Sequence, residues 1–333
     1  MTQNTEHLIK IENLYKHFPI KKGFFNKTIG HVQAITDLNL NIVKGETLGL
    51  VGESGCGKST TGRCILKLLQ PSSGHIYYED KNINQLNNKE LHHLRRKMQI
   101  IFQNPYSSLD PRMTVRQIIT EPLIIHKTEE KNQIDKRLTE LLDMVGIATS
   151  MLERYPHEFS GGQRQRIGIA RALALNPSFI VADEPVSALD VSIQAQIINL
   201  LLDLKKELNL TYLFIAHNLS VVQYVSDRVA VMYLGEIVEL APAKELYKNP
   251  KHPYTEALLS AIPIANPGLD RSNRILLEGD VPSPDNPPSG CKFHTRCIYS
   301  KDDCKNILPE LEEKSSGHFT RCLYSDKLSL KSY

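Results

Sequence analysis

Nine consecutive residues constrain this chain more than any other stretch. Residues 52–60 read Gly-Glu-Ser-Gly-Cys-Gly-Lys-Ser-Thr and fit the pattern G-x-x-x-x-G-K-[ST]. An apolar segment at residues 47–51 precedes them, and residues 59–69 have the composition of a helix. Because strand, glycine-rich loop and helix occur in the order that the pattern requires, a glycine-rich turn with an incidental lysine is the weaker interpretation.

The chemistry of this loop is that of a phosphate-binding site. Its glycines let successive backbone N–H groups point into one concavity, and the following helix adds its positive amino-terminal end. We expect Lys58 to contact the β- and γ-phosphates and the Ser59 hydroxyl to bind Mg²⁺, so ATP and Mg²⁺ are the predicted cofactors. The predicted nucleotide-binding residues of the loop are Gly52, Glu53, Ser54, Gly55, Cys56, Gly57, Lys58, Ser59 and Thr60.

The composition is that of an ordinary globular protein. The chain has 333 residues, of which 41% are hydrophobic and 23% charged, and this length predicts more than one structural unit. No run approaches the roughly 18 apolar residues of a membrane span, and the first residues lack the pattern of a secretory signal, so we expect a cytoplasmic location. The balance of 40 basic and 37 acidic residues gives no reason to expect a nucleic-acid partner.

Ahead of the phosphate loop, an aromatic residue is a candidate for the nucleotide base. Residues 8–14 and 34–43 alternate apolar and polar side chains as strands do, and Phe18 lies in the predicted loop between them. Its ring is suited to stack on adenine. The alternative, that the ring only anchors the loop, is equally compatible with the sequence.

Polar side chains follow predicted strands at three places after the phosphate loop. Gln103 is expected to contact a metal-bound water and the γ-phosphate. Asp183 is expected to bind Mg²⁺ through the coordination shell of the ion. Glu184 is the predicted general base for the attacking water. His217 is interpreted as a γ-phosphate contact, because an open α/β sheet places its ligands at the carboxyl ends of its strands. Gln103 alone carries little information, and a histidine such as His217 is most often structural.

A helical insertion is predicted between these strand ends. From residue 114 to residue 175 strand signals vanish, and apolar residues recur at helical spacing. The insertion ends in a serine that is a good helix cap and two glycines, which together form a second helix start able to accept an anion. An ordinary capped helix is the alternative. The predicted nucleotide-facing residues are Ser160, Gly161, Gly162 and Gln163.

Taken together, these motifs resemble those of the ATP-binding subunits of ABC transporters, over roughly residues 8–262. The phosphate loop, Gln103, the segment 159–163, the acidic pair, the turn at 187–190 and His217 occur in that family's order. Phe159 stands where the family usually has leucine, and it preserves an apolar anchor. The resemblance implies an α/β fold, a P-loop ABC ATPase core with an inserted helical lobe at about residues 104–176. It also implies a nucleotide-binding domain at residues 1–250 and a C-terminal extension at residues 251–333.

The extension narrows the resemblance to ATPases of dipeptide and oligopeptide importers, specifically their F-type subunit. Residues 249–259 and 282–291 carry it. It implies a peripheral protein on the cytoplasmic face of the cell membrane, paired head to tail with a related ATPase so that ATP lies between one phosphate loop and the other subunit's residues 160–163. Two permease subunits and an extracytoplasmic peptide-binding protein are the other implied partners. Import of nickel or a metal chelate stays open, and a soluble ABC ATPase outside transport is a more distant alternative.

The extension also contains four of the six cysteines. A disulfide is disfavoured in a reducing compartment, and the spacings lack the C-x-x-C pairs of typical structural zinc sites. Resemblance to the importer extension favours a four-cysteine [4Fe–4S] cluster, with zinc and unliganded thiols as alternatives. The predicted ligands are Cys291, Cys297, Cys304 and Cys322.

Overall fold

The computed structural model describes residues 6–23, 26–128, 131–262 and 275–331. Backbone packing divides the chain into two compact units. We call Met1–Glu6, Val43–Thr47 and Gln85–Ile215 the helical unit. His7–Ile42, Leu48–Asn84 and Ala216–Tyr333 form the phosphate-loop unit.

The phosphate-loop unit contains an antiparallel sheet with the strand order β2-β1-β4-β5. Its strands are β1 (His7–Lys22), β2 (Lys27–Val43), β4 (Ser73–Tyr78) and β5 (Lys81–Asn82). Ile9 pairs with Tyr78 and Ile11 with Ile76, which places buried apolar side chains opposite one another. The sheet confirms strands at the predicted positions, although β1 continues to Lys22, so Phe18 lies in a strand and not in a loop.

Further strands of the same unit are ordered β3-β9-β10-β12-β11. They are β3 (Thr47–Val51), β9 (Arg228–Tyr233), β10 (Glu236–Pro242), β11 (Glu312–Ser315) and β12 (His318–Thr320). Strand β3 is parallel to β9, and the remaining neighbours are antiparallel. The extension therefore contributes β11 and β12 to the edge of this sheet, which its proline-rich and cysteine-rich sequence does not indicate. The boundary at residue 250 stays a prediction.

The helices of the phosphate-loop unit are short. They are α1 (Lys58–Ile65), α8 (Leu219–Val225), α9 (Ala243–Lys248), α10 (Pro253–Ser260) and α11 (Asp302–Asn306). Helix α1 ends earlier than the predicted residue 69, because Lys67 takes a left-handed backbone conformation with φ of +51° and turns the chain away from the helix.

In the helical unit, three parallel strands are ordered β8-β7-β6. They are β6 (Met98–Ile101), β7 (Phe179–Asp183) and β8 (Thr211–Ile215). Every residue of β7 and β8 is buried, in keeping with the apolar runs at residues 179–182 and 212–215. Ala182 lies opposite Ile101, and Asp183 lies opposite Ile215, so the carboxyl ends of the strands meet at one edge.

Helices make up the rest of this unit's regular structure within the described residues. They are α2 (Asn88–Lys97), α3 (Pro105–Ser108), α4 (Val115–His126), α5 (Lys131–Val145), α6 (Gly161–Leu173) and α7 (Val191–Leu208). Helices α4, α5 and α6 pack on one another, and the apolar stripe of α5 is buried. The regular structure in the described part of residues 104–176 is thus helical, and the bounds of the lobe stay a prediction. No helix in the described ranges has the length and apolar character needed to span a membrane.

Candidate functional site

The phosphate loop requires glycine at two positions for reasons of space and backbone conformation. Gly57 caps helix α1 with φ of +110°, and a Cβ there would lie 2.2 Å from the carbonyl oxygen of Ala34. Gly52 has φ of +152°, and a Cβ there would lie 2.2 Å from the carbonyl oxygen of Met232. No other residue type fits without moving backbone atoms.

The loop's lysine is held by the loop itself. Lys58 is 5% exposed, and its Nζ donates hydrogen bonds to the carbonyl oxygens of Gly52 at 2.8 Å and Glu53 at 2.9 Å. Ser59 and Thr60 follow in the first turn of α1 and are partly exposed, whereas Cys56 is buried and burial raises the pKa of its thiol. Ser54 and Gly55 lie on the exposed side of the loop. A cation and hydroxyls are therefore placed at the start of a helix, where a phosphate group is favoured.

Two residues of the extension that belong to no predicted site form hydrogen bonds with Glu53. The backbone N–H of Glu53 donates to the Tyr254 hydroxyl at 2.9 Å. The Glu53 carboxylate accepts two hydrogen bonds from the Arg296 guanidinium, at 2.7 and 3.1 Å. No spacing pattern links residues this far apart along the chain, so packing alone reveals the contact.

At the strand edge of the helical unit, predicted residues come together. Gln103 Nε2 donates a hydrogen bond to Glu184 Oε2 at 2.7 Å. Asp183 is 3% exposed at the end of β7, and the Glu184 N–H donates to the carbonyl oxygen of Ile215 at 2.9 Å. An amide and two carboxylates at one edge are suited to hold a metal ion and a water molecule.

The predicted anion-accepting helix start is a capping box. The Ser160 hydroxyl accepts a hydrogen bond from the Gln163 N–H at 3.3 Å, and the Gln163 side-chain oxygen accepts one from the Ser160 N–H at 3.0 Å. Gly162 is needed for packing, because a Cβ there would lie 2.5 Å from the Ile193 side chain of α7. Gly161 and Gly162 thus start helix α6 with no bulky side chain over its amino-terminal N–H groups.

Two further candidates lie in the phosphate-loop unit. His217 follows β8 and is exposed, in the segment before α8. Phe18 is partly buried in β1, where the Lys16 ammonium lies 4.7 Å from its ring centroid. Its contact with a cation shows that the ring face is open to a polar neighbour.

The four cysteines of the extension share one cavity. They line it together with His252, Phe293 and neighbouring aromatic side chains. All four are free thiols, and burial raises the pKa of Cys291 to about 11 and of Cys297 to about 12. Across the described residues, no group of three or more histidine, cysteine, aspartate or glutamate side chains is arranged to hold a metal ion. The four cysteines therefore line one cavity, and their role as ligands of an iron–sulfur cluster stays a prediction.

Comparison with known families identifies two regions of the chain. The family described as "ABC transporter" matches residues 35–187. The family described as "Oligopeptide/dipeptide transporter, C-terminal region" matches residues 238–304. The first match contains the phosphate loop and the strand edge with Gln103 and Glu184, and the second contains Tyr254 and Arg296.

Individual proteins resemble the chain over most of its length. The oligopeptide transport ATP-binding protein AppF of Bacillus subtilis is 52% identical over 325 residues, covering 97% of this chain and 99% of AppF. The putative oligopeptide transport ATP-binding protein YkfD of the same organism is 53% identical over 317 residues, covering 95% of this chain and 94% of YkfD. The dimeric structure of the ATP-binding cassette MJ0796 in a post-hydrolysis state, bound to ADP and Pi, superimposes with a TM-score of 0.63 at 32% identity, covering 71% of this chain and 98% of that one. With the phosphate loop, the capped helix start and the Gln103–Glu184 pair in place, the chain belongs to the ABC transporter family of ATP-binding proteins.

Proposed function

We propose that this chain is the ATP-hydrolysing subunit of an importer that moves oligopeptides or dipeptides across the cytoplasmic membrane. The observation that carries the proposal is the joint presence, in one chain, of a match to the ABC transporter family at residues 35–187 and a match to the oligopeptide/dipeptide transporter C-terminal region at residues 238–304. Support comes from AppF and YkfD, both named as oligopeptide transport ATP-binding proteins and both similar from end to end. The protein acts as a peripheral subunit at the cytoplasmic face of that membrane.

The catalytic roles follow from the chemistry of each group. Lys58 neutralises the β- and γ-phosphates, Ser59 and Asp183 hold Mg²⁺, and Glu184 accepts the proton of the attacking water. The bond between Gln103 and Glu184 supports this assignment, because an oriented carboxylate is what a general base needs. His217 contacts the γ-phosphate, and Phe18 stacks on the adenine ring.

The complete catalytic site takes residues from two cassettes. The phosphate loop of one subunit and Ser160 to Gln163 of the facing subunit hold the same ATP, so that the α6 amino terminus meets the γ-phosphate. Support comes from the dimer of the MJ0796 cassette. The facing subunit is a related ATPase, and two permease subunits and an extracytoplasmic peptide-binding protein complete the transporter.

Uptake measurements test the proposed cargo. Cells that lack this gene are supplied with the wild-type chain or with Lys58→Ala and given labelled peptides or labelled nickel chelates. Peptide uptake restored by the wild type and not by Lys58→Ala is the expected result, because the variant loses a principal phosphate countercharge. Restored uptake of the metal chelate alone would replace the peptide assignment with a metal importer.

The four cysteines of the extension are proposed to bind a [4Fe–4S] cluster with a structural role. The shared cavity supports this choice, and the lack of C-x-x-C pairs among the four cysteines disfavours a typical structural zinc site. Such a cluster would crosslink segments that have little apolar core of their own.

Iron, sulfide and zinc analysis after anaerobic purification tests the cluster. Iron and sulfide at about four per chain are expected, with loss of both in Cys291→Ser, Cys297→Ser. Two results together would contradict the cluster. They are wild-type protein that lacks iron and sulfide, and an extension that resists proteolysis equally in the variant and in the wild type.

A further inference from the structure

One residue of the phosphate loop, Glu53, is held from three directions. Its N–H donates to Tyr254, its carboxylate accepts from Arg296, and its carbonyl oxygen accepts from Lys58. Tyr254 and Arg296 both belong to the extension, and all these residues lie in the phosphate-loop unit. The loop's second residue is therefore oriented by a part of the chain that carries none of the proposed catalytic groups.

The Arg296–Glu53 pair is built as a strong contact. The Arg296 side chain is 7% exposed and that of Glu53 is 26% exposed, so water screens the pair only partly. The planar guanidinium makes two hydrogen bonds to the carboxylate, an arrangement that fixes direction as well as distance. Loss of one partner would leave a poorly solvated charge behind.

The segment that carries Arg296 is itself rigidly supported. The Phe293 ring packs 5.3 Å from the centroids of both Tyr233 and Tyr254. Lys292 Nζ pairs with buried Glu236 at 2.9 Å and donates to the carbonyl oxygen of Leu234 at 2.9 Å. These contacts hold the segment just before Arg296 against buried side chains.

A carboxylate in a phosphate-binding loop repels the phosphate groups that the loop binds. Glu53 lies next to Gly52 and five residues before Lys58, so its negative charge opposes the bound polyphosphate unless it is neutralised and turned aside. Arg296 does both. Its guanidinium supplies the opposite charge, and its two hydrogen bonds keep the carboxylate oxygens directed at the guanidinium. Tyr254 fixes the backbone of the same residue.

We infer that Arg296 and Tyr254 are positioning residues of the nucleotide site, through which the extension sets the affinity of the phosphate loop for ATP. The inference rests on the proposed binding of ATP at residues 52–60. Neither residue needs to touch ATP. Both act through the orientation and the charge of Glu53.

Equilibrium binding of ATP to the purified full-length chain tests the inference. Arg296→Ala is expected to weaken ATP binding roughly tenfold, since a charge-assisted contact is lost and a negative charge is exposed near the phosphates. Adding Glu53→Gln to Arg296→Ala is expected to restore most of the affinity, because the uncompensated carboxylate is then absent. Tyr254→Phe, which removes one hydroxyl, is expected to weaken binding to a smaller extent.

A matched control comes from a second arginine of the extension. The Arg321 side chain is also 7% exposed, and its guanidinium lies 2.7 Å from the partly exposed carboxylate of Asp37. It also donates hydrogen bonds to the carbonyl oxygens of Ile237 and Pro309. Arg321→Ala should lower the melting temperature and leave the ATP dissociation constant unchanged. Iron and zinc content is measured in parallel in both variants, since Arg296 precedes Cys297 and Arg321 precedes Cys322. If Arg296→Ala does not fold, Arg296→Lys, which keeps the charge, replaces it in the binding measurement. Where both variants can be measured, the lysine variant should lose less affinity for ATP than the alanine variant.

The outcomes separate this inference from the proposed function. A wild-type chain that does not bind ATP would contradict the proposed function itself. Wild-type binding with equal affinity in Arg296→Ala, or a double variant no better than Arg296→Ala alone, would overturn the positioning role and leave ATP binding intact.

Discussion

Glu184 occupies an unusual backbone conformation at the end of strand β7. Its φ is +48°, in the left-handed region that residues other than glycine rarely adopt. Its N–H donates to Ile215, its carbonyl oxygen accepts from the Ser187 hydroxyl at 3.2 Å, and its carboxylate accepts from Gln103. Such strain at a strand end is typical of residues held for a chemical task.

Glu184→Gln is expected to reduce ATP hydrolysis by roughly 10²–10⁴-fold while ATP binding is retained, because the amide cannot accept the proton of the attacking water. The measurement is steady-state hydrolysis beside ATP binding in the assembled transporter, where the variant should accumulate with ATP bound. Hydrolysis near the wild-type rate would remove Glu184 from the role of base. His217→Ala should likewise reduce hydrolysis more than binding.

His126 is expected to titrate below an ordinary histidine. Burial lowers its pKa, and the charges of His92, Arg96 and Arg95 lower it further, with the His92 and His126 rings stacked 4.1 Å apart. The unfolded chain, with a histidine pKa of about 6.5, therefore binds the proton at a higher pH than the folded chain does. Stability is expected to decrease as the pH falls from about 6.5 towards the lowered pKa of His126.

NMR titration of the histidine ring protons measures this pKa directly. His92→Ala should raise the pKa of His126, since both a covering ring and a positive neighbour are removed. A midpoint for His126 at or above 6.5 in the wild type would contradict the expectation.

At the scale of elements, helices α2, α4 and α6 of the helical unit each begin with a capping box, and α4 and α6 build it from a hydroxyl residue and a glutamine. Thr114 and Gln117 cap α4 as Ser160 and Gln163 cap α6. The alanine variants Thr114→Ala and Ser160→Ala should each cost about 1 kcal/mol of stability, since each leaves a helix N–H without its acceptor.

Both variants are expected to lose stability, but only Ser160→Ala is expected to slow ATP hydrolysis as well. The reason is that only α6 is proposed to face a nucleotide. Hydrolysis rates in the assembled transporter, compared with the melting temperatures of both variants, separate the two effects. Equal rates in Ser160→Ala and Thr114→Ala would reduce the α6 cap to an ordinary helix start.

At the scale of the whole molecule, the proposed composite site predicts weak activity of the purified chain alone. ATP held by one phosphate loop lacks the facing residues 160–163 until a second cassette is present. The hydrolysis rate per chain should therefore rise with protein concentration and rise further when the partner ATPase and the permeases are added. A rate equal to that of the full complex and independent of concentration would show that one chain suffices.

The amino-acid sequence by itself determines the features that depend on neighbouring residues. The glycines of the phosphate loop, the capped start of α6 and the buried strand β7 all follow from local rules of backbone conformation, capping and apolar runs. For that reason the family and most elements were predictable. Even there, the predicted end of α1 and the predicted loop at Phe18 were wrong. A single left-handed residue ends the helix early, and β1, which lies beside β2 in the sheet, continues to Lys22.

Only the tertiary structure decides which distant side chains meet. Gln103 and Glu184 are 81 residues apart along the chain, and Glu53 and Arg296 are 243 apart. The gathering of four cysteines around one cavity and the addition of β12 to β10 are decided in the same way. Such contacts have no local signal, because the free energy that selects them comes from packing and from pairing buried polar groups across the folded chain.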